Sequence, residues 1–433
     1  MSKPVRVDVL NFGDELLMGL RVNGHLAFLG RELARHGVSV QRNEVIRDDV
    51  DEIREAFLRS WESSDLVITT GGLGPTVDDL TKEVIANALG LKLELVDSVK
   101  VALEERFARL GRTLSSNNLR QCYVPEGAEV LMNKHGTAPG LLMSVDDKVL
   151  LMLPGPRSEL EPMFTTQALP RLQEEGFLRE EEQYIQLRTF GIPESVLEQK
   201  LRRFLKGYSG LKIAYCAHAG GVDLRLSPDG EDGFSIGGLR GLGEQCMEML
   251  GEDFVCFGDD TVAEICLAYL RAQSRTLAVA ESCTGGWLGS TFTDVPGASD
   301  IFQGGIVAYN EDIKIEHLDV PEIIIQQHGS VSPETAVAMA TGVAERFSAD
   351  YGLSTTGFAG PGGGTPDCPV GTVFFGLHTP IGAWSHRVHI EGSRNVVRER
   401  AVNAGVDWLR RKLVKHKLEE AFSTVVFSMG AGI

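Results

Sequence analysis

The chain has 433 residues, enough for about three domains at the usual domain size. Its 60 acidic against 42 basic residues give a net charge of −18, which opposes a broad contact with nucleic acid. With 43% hydrophobic and 24% charged residues it reads as globular; no apolar run reaches the ~18 residues of a membrane span, and the early Asp8, Asp14 and Glu15 do not suit a signal peptide. Strand and helix signals alternate over the first 90 residues. Val5–Gly13 reads as a strand, and Leu26, Leu29 and Leu33 as one face of a helix stopping at Gly37. Val38–Ile46 is a second strand, and Asp51–Ser60 a helix with Ile53, Phe57 and Leu58 on one face. Leu66–Thr70 is a short apolar run before Gly71-Gly72, the pattern of a buried parallel strand. A helix over Thr81–Leu89 follows. The alternation predicts a parallel sheet covered on both faces.

From Val130 to Leu153 two extended runs flank Gly136–Gly140 and Asp146-Asp147, as hairpin material that ends at Pro154-Gly155-Pro156. A helix from Ser158 to about Gln173 closes a first domain, residues 1–173. Residues 174–257 predict a small α+β unit: strand Tyr184–Phe190, helix Glu194–Leu205, strands Leu211–Tyr215 and Gly221–Leu226, helix Leu239–Leu250. Its Gly207-Tyr208-Ser209-Gly210 has the G-x-x-G form of RNA-binding loops. Between Gln173 and Phe257, however, 9 basic residues face 15 acidic ones, and a plain turn is the expected reading. A third domain, 258–415, has helices at Thr261–Arg271 and Glu334–Phe347 and strands at Thr276–Ala280 and Tyr351–Thr356. An antiparallel pair follows (Thr372–His378, Ser385–Ile390), and then a helix from Ser393 to about Leu413. Residues 416–433 form an amphipathic tail. The seven cysteines include no C-x-x-C pair and read as reduced thiols in a cytoplasmic protein.

Two constellations carry chemistry. In Thr69–Thr81, a buried strand passes through Gly71, Gly72 and Gly74 into a helix, so backbone amides and the helix start favour a phosphate. Asp78 and Asp79 stand just beyond, placed to hold a divalent cation against a pyrophosphate, and Asp14 follows the first strand on the same edge of the sheet. In the second, the strand ending at Ala280 leads into Glu281-Ser282-Cys283-Thr284-Gly285-Gly286. Ser282 or Cys283 is a nucleophile candidate beside amides able to hold an oxyanion. Ala308–Lys314 supplies Tyr309 and Lys314, and a desolvated lysine can act as base. Thr355–Gly364 is a third glycine-rich strand-end loop, and Arg394 could clamp a phosphate.

These motifs resemble the CinA (competence/damage-inducible) family over essentially the whole chain. The amino-terminal carriers are G-D-E-L-L-M-G (Gly13–Gly19), T-T-G-G-L-G-P-T-V-D-D-L-T, N-N-L-R-Q (Asn117–Gln121), G-T-A-P-G (Gly136–Gly140) and L-P-G-P (Leu153–Pro156). They are similar to the MoaB/MogA-type molybdopterin-binding fold, a parallel-sheet three-layer domain. In this family that fold is associated with metal-dependent ADP-ribose pyrophosphatase activity. The carboxy-terminal carriers, A-E-S-C-T-G-G, G-G-I-V-A-Y-N-E-D-I-K, H-G-S-V-S (His328–Ser332), G-F-A-G-P-G-G and P-V-G-T-V (Pro369–Val373), resemble the nicotinamide mononucleotide (NMN) deamidases, with an α/β amidohydrolase fold. The middle segment resembles a KH-like domain. The chain departs from the family's usual pattern at Asn23-Gly24-His25 and at Pro154-Gly155-Pro156-Arg157.

The resemblance implies a bifunctional hydrolase of pyridine-nucleotide salvage. Ser282 is then the nucleophile, Lys314 its base and Tyr309 its neighbour, which decides between Ser282 and Cys283. Thr284, Gly285, Gly286, Thr356, Gly357 and Arg394, or Arg398 one turn later, face NMN. In the amino-terminal domain Gly71, Gly72, Gly74, Thr76, Gly136 and Thr137 hold the nucleotide, and Asp78, Asp79 and Asp14 the divalent metal; the amidase needs no cofactor. NMN and ADP-ribose are the expected partners, without nucleic acid or membrane, in a cytoplasmic homodimer. The alternative is a molybdopterin- or nucleotide-binding adaptor of competence or DNA damage, without turnover in the amino-terminal domain.

Overall fold

A computed structural model describes residues 5–218, 220–229 and 233–430, with side chains as far as Lys415. The chain divides into two compact units, Met1–Gln183 and Tyr184–Ile433.

The first unit is built on a six-stranded sheet in the order Val40–Ile46, Val7–Phe12, Leu66–Thr70, Lys148–Leu153, Gly140–Val145, Glu129–Leu131. The first four strands are parallel and the last two antiparallel. Val7–Phe12 and Leu66–Thr70 are buried along their whole length, because helices cover both faces. On one face Phe28, Leu29 and Leu33 of helix His25–Arg35 pack with Leu160, Phe164 and Leu172. On the other, Ile53 and Phe57 of helix Val50–Ser63 pack with Val84 and Ile85 of helix Thr81–Ala88. The expected three-layer domain is therefore present. Its hairpin turns at Asp146-Asp147, with φ of 51° and 62°, as a two-residue turn matched to strand twist requires.

Three details differ from expectation. Helix Asp97–Arg109 and the short pair Leu93–Leu95 with Tyr123–Pro125 were not foreseen; the helix buries only Val99 and Leu103, too little for a clear periodic signal. The helix expected over Ser158–Gln173 is instead Arg157–Met163, a π turn at Phe164–Ala168, and Leu169–Glu174. Pro162 and Pro170 each remove a backbone donor there. The first unit also extends past 173: Leu178 joins its core, and the amides of Arg179 and Gln183 donate to His36 O (3.2 Å) and Arg35 O (2.7 Å). The boundary accordingly lies at 183/184.

The second unit holds two sheets. The first is antiparallel, in the order Leu211–His218, Gly221–Pro228, Ile185–Thr189, Phe254–Phe257, and packs against helices Glu194–Leu205 and Ile236–Leu250. Phe254–Phe257 is a strand the sequence reading lacked. Gly207–Gly210 is a turn, with Gly210 at φ 75°. The second sheet runs Phe302–Val307, Leu277–Glu281, Tyr351–Gly357, Thr372–Thr379, Gly382–His389. Its first three strands are parallel and its last two antiparallel. Helix Val262–Ala272 starts on a capping box of Thr261 and Glu264. Helix Pro333–Phe347 lies so close to the sheet that a side chain at Gly352 would come within 2.0 Å of Ala340 O.

The last helix runs Arg394–Gly430, past its expected end near Leu413. Of the segment read as a tail, 416–430 continues this helix, its side chains lying outside the described residues, as does all of 431–433. Earlier in the helix the buried Arg410 donates to Phe254 O (2.8 Å), Glu252 O (2.7 Å) and Asp407 Oδ1 (2.8 Å). Arg411 donates to Phe190 O (3.0 Å). The final helix is thus fastened to the antiparallel sheet before it. The seven cysteines are free thiols. Among the described residues no helix is long and apolar enough to cross a membrane.

Candidate active sites

In the carboxy-terminal sheet Glu281 stands in register with Val307 on one side and Thr355 on the other. The loops leaving three parallel strands therefore open along one edge, where ligands bind in such sheets. Ser282 is the first residue beyond the central strand, and its amide donates to Thr355 O (2.9 Å). Lys314 comes from helix Glu311–Leu318, beyond the neighbouring strand. Its Nζ lies 3.5 Å from Ser282 Oγ and donates to Ala308 O at 2.9 Å. Lys314 is 2% exposed, and burial lowers its pKa below the ordinary lysine value, although the Glu311 carboxylate pulls the other way. Loss of water is the main cause of the shift, as expected of a desolvated lysine. Burial pushes the Cys283 thiol up to about 12, so no thiolate forms near neutrality.

The other expected residues gather around this pair, but Thr356, Gly285 and Gly286 do not take the roles expected of them. Arg394 donates to Tyr309 Oη (2.9 Å) and to Gly360 O (2.7 Å), joining two loops at an exposed rim. Arg398 instead reaches inward, to Thr284 O (2.8 Å). Thr284 Oγ1 shares a 2.7 Å hydrogen bond with Thr355 Oγ1. Thr356, expected to face substrate, is fully buried and donates its hydroxyl to Ser330 O (2.8 Å), leaving Gly357 at the strand end. The amides of Gly285 and Gly286 are also committed, to Ser282 O (3.2 Å) and Glu281 Oε2 (2.9 Å). As oxyanion donors they are occupied. Glu281 has no role in the sequence reading; the available signal was a carboxylate at the end of an otherwise apolar strand.

In the first unit the glycine loop borders a cleft of ≈ 380 Å³. Gly71 (φ 89°) passes so near Phe12 that a side chain would come 2.4 Å from its carbonyl oxygen. Gly72 and Gly74 line the cleft with Thr137, beside the carboxylates of Glu15, Asp48, Asp78, Asp79 and Glu159 and the guanidinium groups of Arg21 and Arg157. Several expected roles move. Asp14 does not line the cleft; its amide donates to Asp48 Oδ2 (3.0 Å), and Asp48 and Glu15 occupy the wall instead. Asp79 Oδ2 accepts from Thr76 N (2.8 Å) and Thr76 Oγ1 (2.5 Å), so both residues serve the turn. Gly136 donates to Asn133 Oδ1 (2.6 Å), leaving Thr137, which accepts from Gln121 Nε2 (3.2 Å). Among the described residues no three of His, Cys, Asp and Glu gather closely enough to hold a metal ion by themselves. Asp14, Asp78 and Asp79 therefore do not form the expected set.

Four residues here were missed as contributors. Burial raises the pKa of Asp48, and the nearby charges of Asp14, Glu15 and Asp78 add to it. His25 is buried between Thr70 Oγ1 (2.9 Å) and Gly155 O (2.7 Å), and burial lowers its pKa. It ties the first glycine loop to Pro154–Pro156. Arg120 donates to Thr76 O (2.9 Å), and the buried Lys82 to Arg120 O (2.7 Å). The motif N-N-L-R-Q thus braces the glycine loop through Arg120, while Gln121 faces the cleft.

Comparison with known proteins agrees with this architecture. Residues 259–413 match the CinA C-terminal domain, residues 8–174 the domain described as "Probable molybdopterin binding domain", and residues 186–254 the damage-inducible protein CinA KH domain. A CinA-like protein of Kosmotoga olearia is 38% identical over 412 residues, covering 95% of this chain and 99% of that protein. A CinA-like protein of Dictyoglomus thermophilum is 37% identical over 415 residues, covering 95% and 100%. The crystal structure of CinA from Thermoplasma acidophilum is 35% identical, covering 39% of this chain and 98% of that one, with a TM-score of 0.37.

Proposed function

The chain belongs to the CinA family, and on that premise we propose that its carboxy-terminal domain hydrolyses the carboxamide of NMN to nicotinate mononucleotide and ammonia. The observation that carries this reading is the buried Lys314 amine 3.5 Å from Ser282 Oγ. A lysine whose pKa is lowered by burial holds a neutral fraction able to take a proton. Lys314 Nζ accepts the Ser282 proton as Oγ attacks the carboxamide carbon, making a tetrahedral oxyanion joined to the enzyme through Oγ. The C–N bond then breaks, and the nitrogen leaves as ammonia with the proton returned from Lys314. Water, deprotonated by the same amine, cleaves the acyl-enzyme and restores Ser282. Tyr309 and Arg394 stand at the exposed rim, where a nucleotide phosphate finds a guanidinium. No cofactor enters these steps. Ammonia release from NMN by the purified chain, lost in Ser282→Ala, tests the reading.

The amino-terminal cleft is proposed to cleave the pyrophosphate of ADP-ribose, giving AMP and ribose 5-phosphate, with a divalent cation. Its lining favours a cation, since five carboxylates against two guanidinium groups would repel a diphosphate alone. Asp78 with Asp48 or Glu15 fits an ion that takes its remaining ligands from substrate and water, as magnesium commonly does. When bound, such an ion supplies charge neutralisation at the phosphates. The protein's own part is to present Gly72 and Gly74 to the ligand and to brace their loop through Arg120. Both nucleotides are small-molecule partners of a proposed cytoplasmic homodimer; the net charge of −18 supports a role without nucleic acid.

A further inference from the structure

Glu281, the residue before the nucleophile, is 2% exposed. Its Oε2 accepts from the amides of Gly286 (2.9 Å) and Leu288 (3.0 Å), and its Oε1 from Gly289 (2.7 Å). A buried carboxylate is costly unless hydrogen bonds replace its water, and here three backbone donors do so. On the other side of the same loop Arg398 donates to Thr284 O (2.8 Å), and its guanidinium stacks 4.1 Å from the Trp287 ring. Ser282–Gly286 is therefore held between an anion that fixes amides and a cation that fixes a carbonyl.

We infer that Glu281 and Arg398 are positioning residues, a two-sided clamp on the nucleophile loop, and that Arg394 alone of the two arginines meets the substrate phosphate. This deepens the amidase reading and rests on it. The Ser282 amide is bonded to Thr355 O, that of Gly285 to Ser282 O, and that of Gly286 to Glu281. These three amides of the loop are thus already engaged and do not serve as oxyanion donors. Arg394, one turn before Arg398, is exposed: its guanidinium is held at the rim by Tyr309 Oη and Gly360 O and faces solvent, from which a ligand arrives. The two arginines share a helix face but divide the work: one shapes the loop, the other receives the substrate.

The test pairs kinetics with amide exchange on the full chain. Glu281→Gln keeps the shape but turns an NH₂ group towards amide donors. It should lower kcat for ammonia release from NMN roughly 10- to 100-fold, the scale of a small misplacement at a reacting centre, with KM nearly unchanged. Arg398→Lys should lower kcat in the same way, whereas Arg394→Lys should raise KM. Hydrogen exchange at Gly286, Leu288 and Gly289 should quicken in Glu281→Gln, with no substrate present. Should Glu281→Gln not fold, Glu281→Asp keeps the charge with a shorter reach and should show the same kcat loss. Unchanged kcat in the Glu281 variants, unchanged exchange, or a larger KM effect at Arg398 than at Arg394 would overturn the clamp. If the wild-type chain releases no ammonia while exchange quickens as expected, the amidase reading fails and the clamp stands.

Discussion

Two glycine-rich loops in this chain leave buried parallel strands and lead into helices, Gly71–Gly74 and Thr284–Gly286, yet they build opposite sites. In the amino-terminal loop the carboxylate that fastens the turn, Asp79, comes from beyond the glycines and bonds Thr76, within an acidic cleft. In the carboxy-terminal loop the fastening carboxylate, Glu281, comes from the strand itself and is buried under the loop. The first arrangement leaves charge at the surface, where the proposed cation and phosphates would meet it. The second neutralises the helix start internally and presents a hydroxyl beside a dry amine. A glycine-rich strand end is a scaffold; its chemistry follows from where the charges around it are placed relative to water.

Substitutions can break this contrast at either end. The largest effect is expected for Ser282→Ala, which should lower NMN deamidation by on the order of 10⁴-fold or more, read as ammonia release. Cys283→Ser should retain most activity, because the Cys283 thiol, with its pKa at about 12, supplies no thiolate. Lys314→Ala and Lys314→Arg should both lose roughly 10²- to 10⁴-fold, the usual share of a general base. A Lys314→Arg variant with near-wild-type turnover would leave Lys314 only an orienting role. Since burial lowers the Lys314 pKa, deamidation should rise with pH along a limb centred below the free-lysine value of about 10.4. A chelator or Asp78→Ala should abolish ADP-ribose cleavage and leave deamidation intact; AMP formation without metal would remove the contrast. The smallest effect concerns His25, whose folded pKa is lowered by burial. As pH falls from about 6.5 the unfolded chain takes up this proton first, so stability is present above that pH and lost below it. His25→Asn should flatten that slope by at most about 1.4 kcal/mol per pH unit, read as denaturation midpoints at pH 5 and 7.

Much of the fold was legible because its strands are short apolar runs between turn residues. Leu66–Thr70 and Leu277–Glu281 announce themselves in this way, and so do the helices behind them. Helix Asp97–Arg109 was not, since an element that buries two side chains carries almost no pattern. For the carboxy-terminal site, Lys314, Tyr309 and Arg394 were named from their motifs, and Ser282 stood beside Cys283 until the family resemblance decided between them; the structure brings Ser282, Lys314, Tyr309 and Arg394 to one edge. Hidden from the sequence was the direction of each polar group. Thr356 turns to Ser330, Gly286 to Glu281, and Asp14 offers an amide to Asp48. A linear motif fixes which atoms are near; it does not say which of them are already engaged. Asp48 lies 34 residues from Asp14 in sequence and meets it only because their strands are neighbours.

The bonds from Arg410 to the backbone of Glu252 and Phe254 bear on any attempt to excise the carboxy-terminal domain. A cut ahead of Asp259 would strip this guanidinium of two carbonyl acceptors, leaving Asp407 as its remaining hydrogen-bond partner in the fragment. Hydrogen bonds to a charged group are worth about 1.5–3 kcal/mol each, a sizeable part of what a domain of this size has to spare. A carboxy-terminal fragment made to test the proposed amidase should therefore begin before Ile185, or replace Arg410 with an apolar residue.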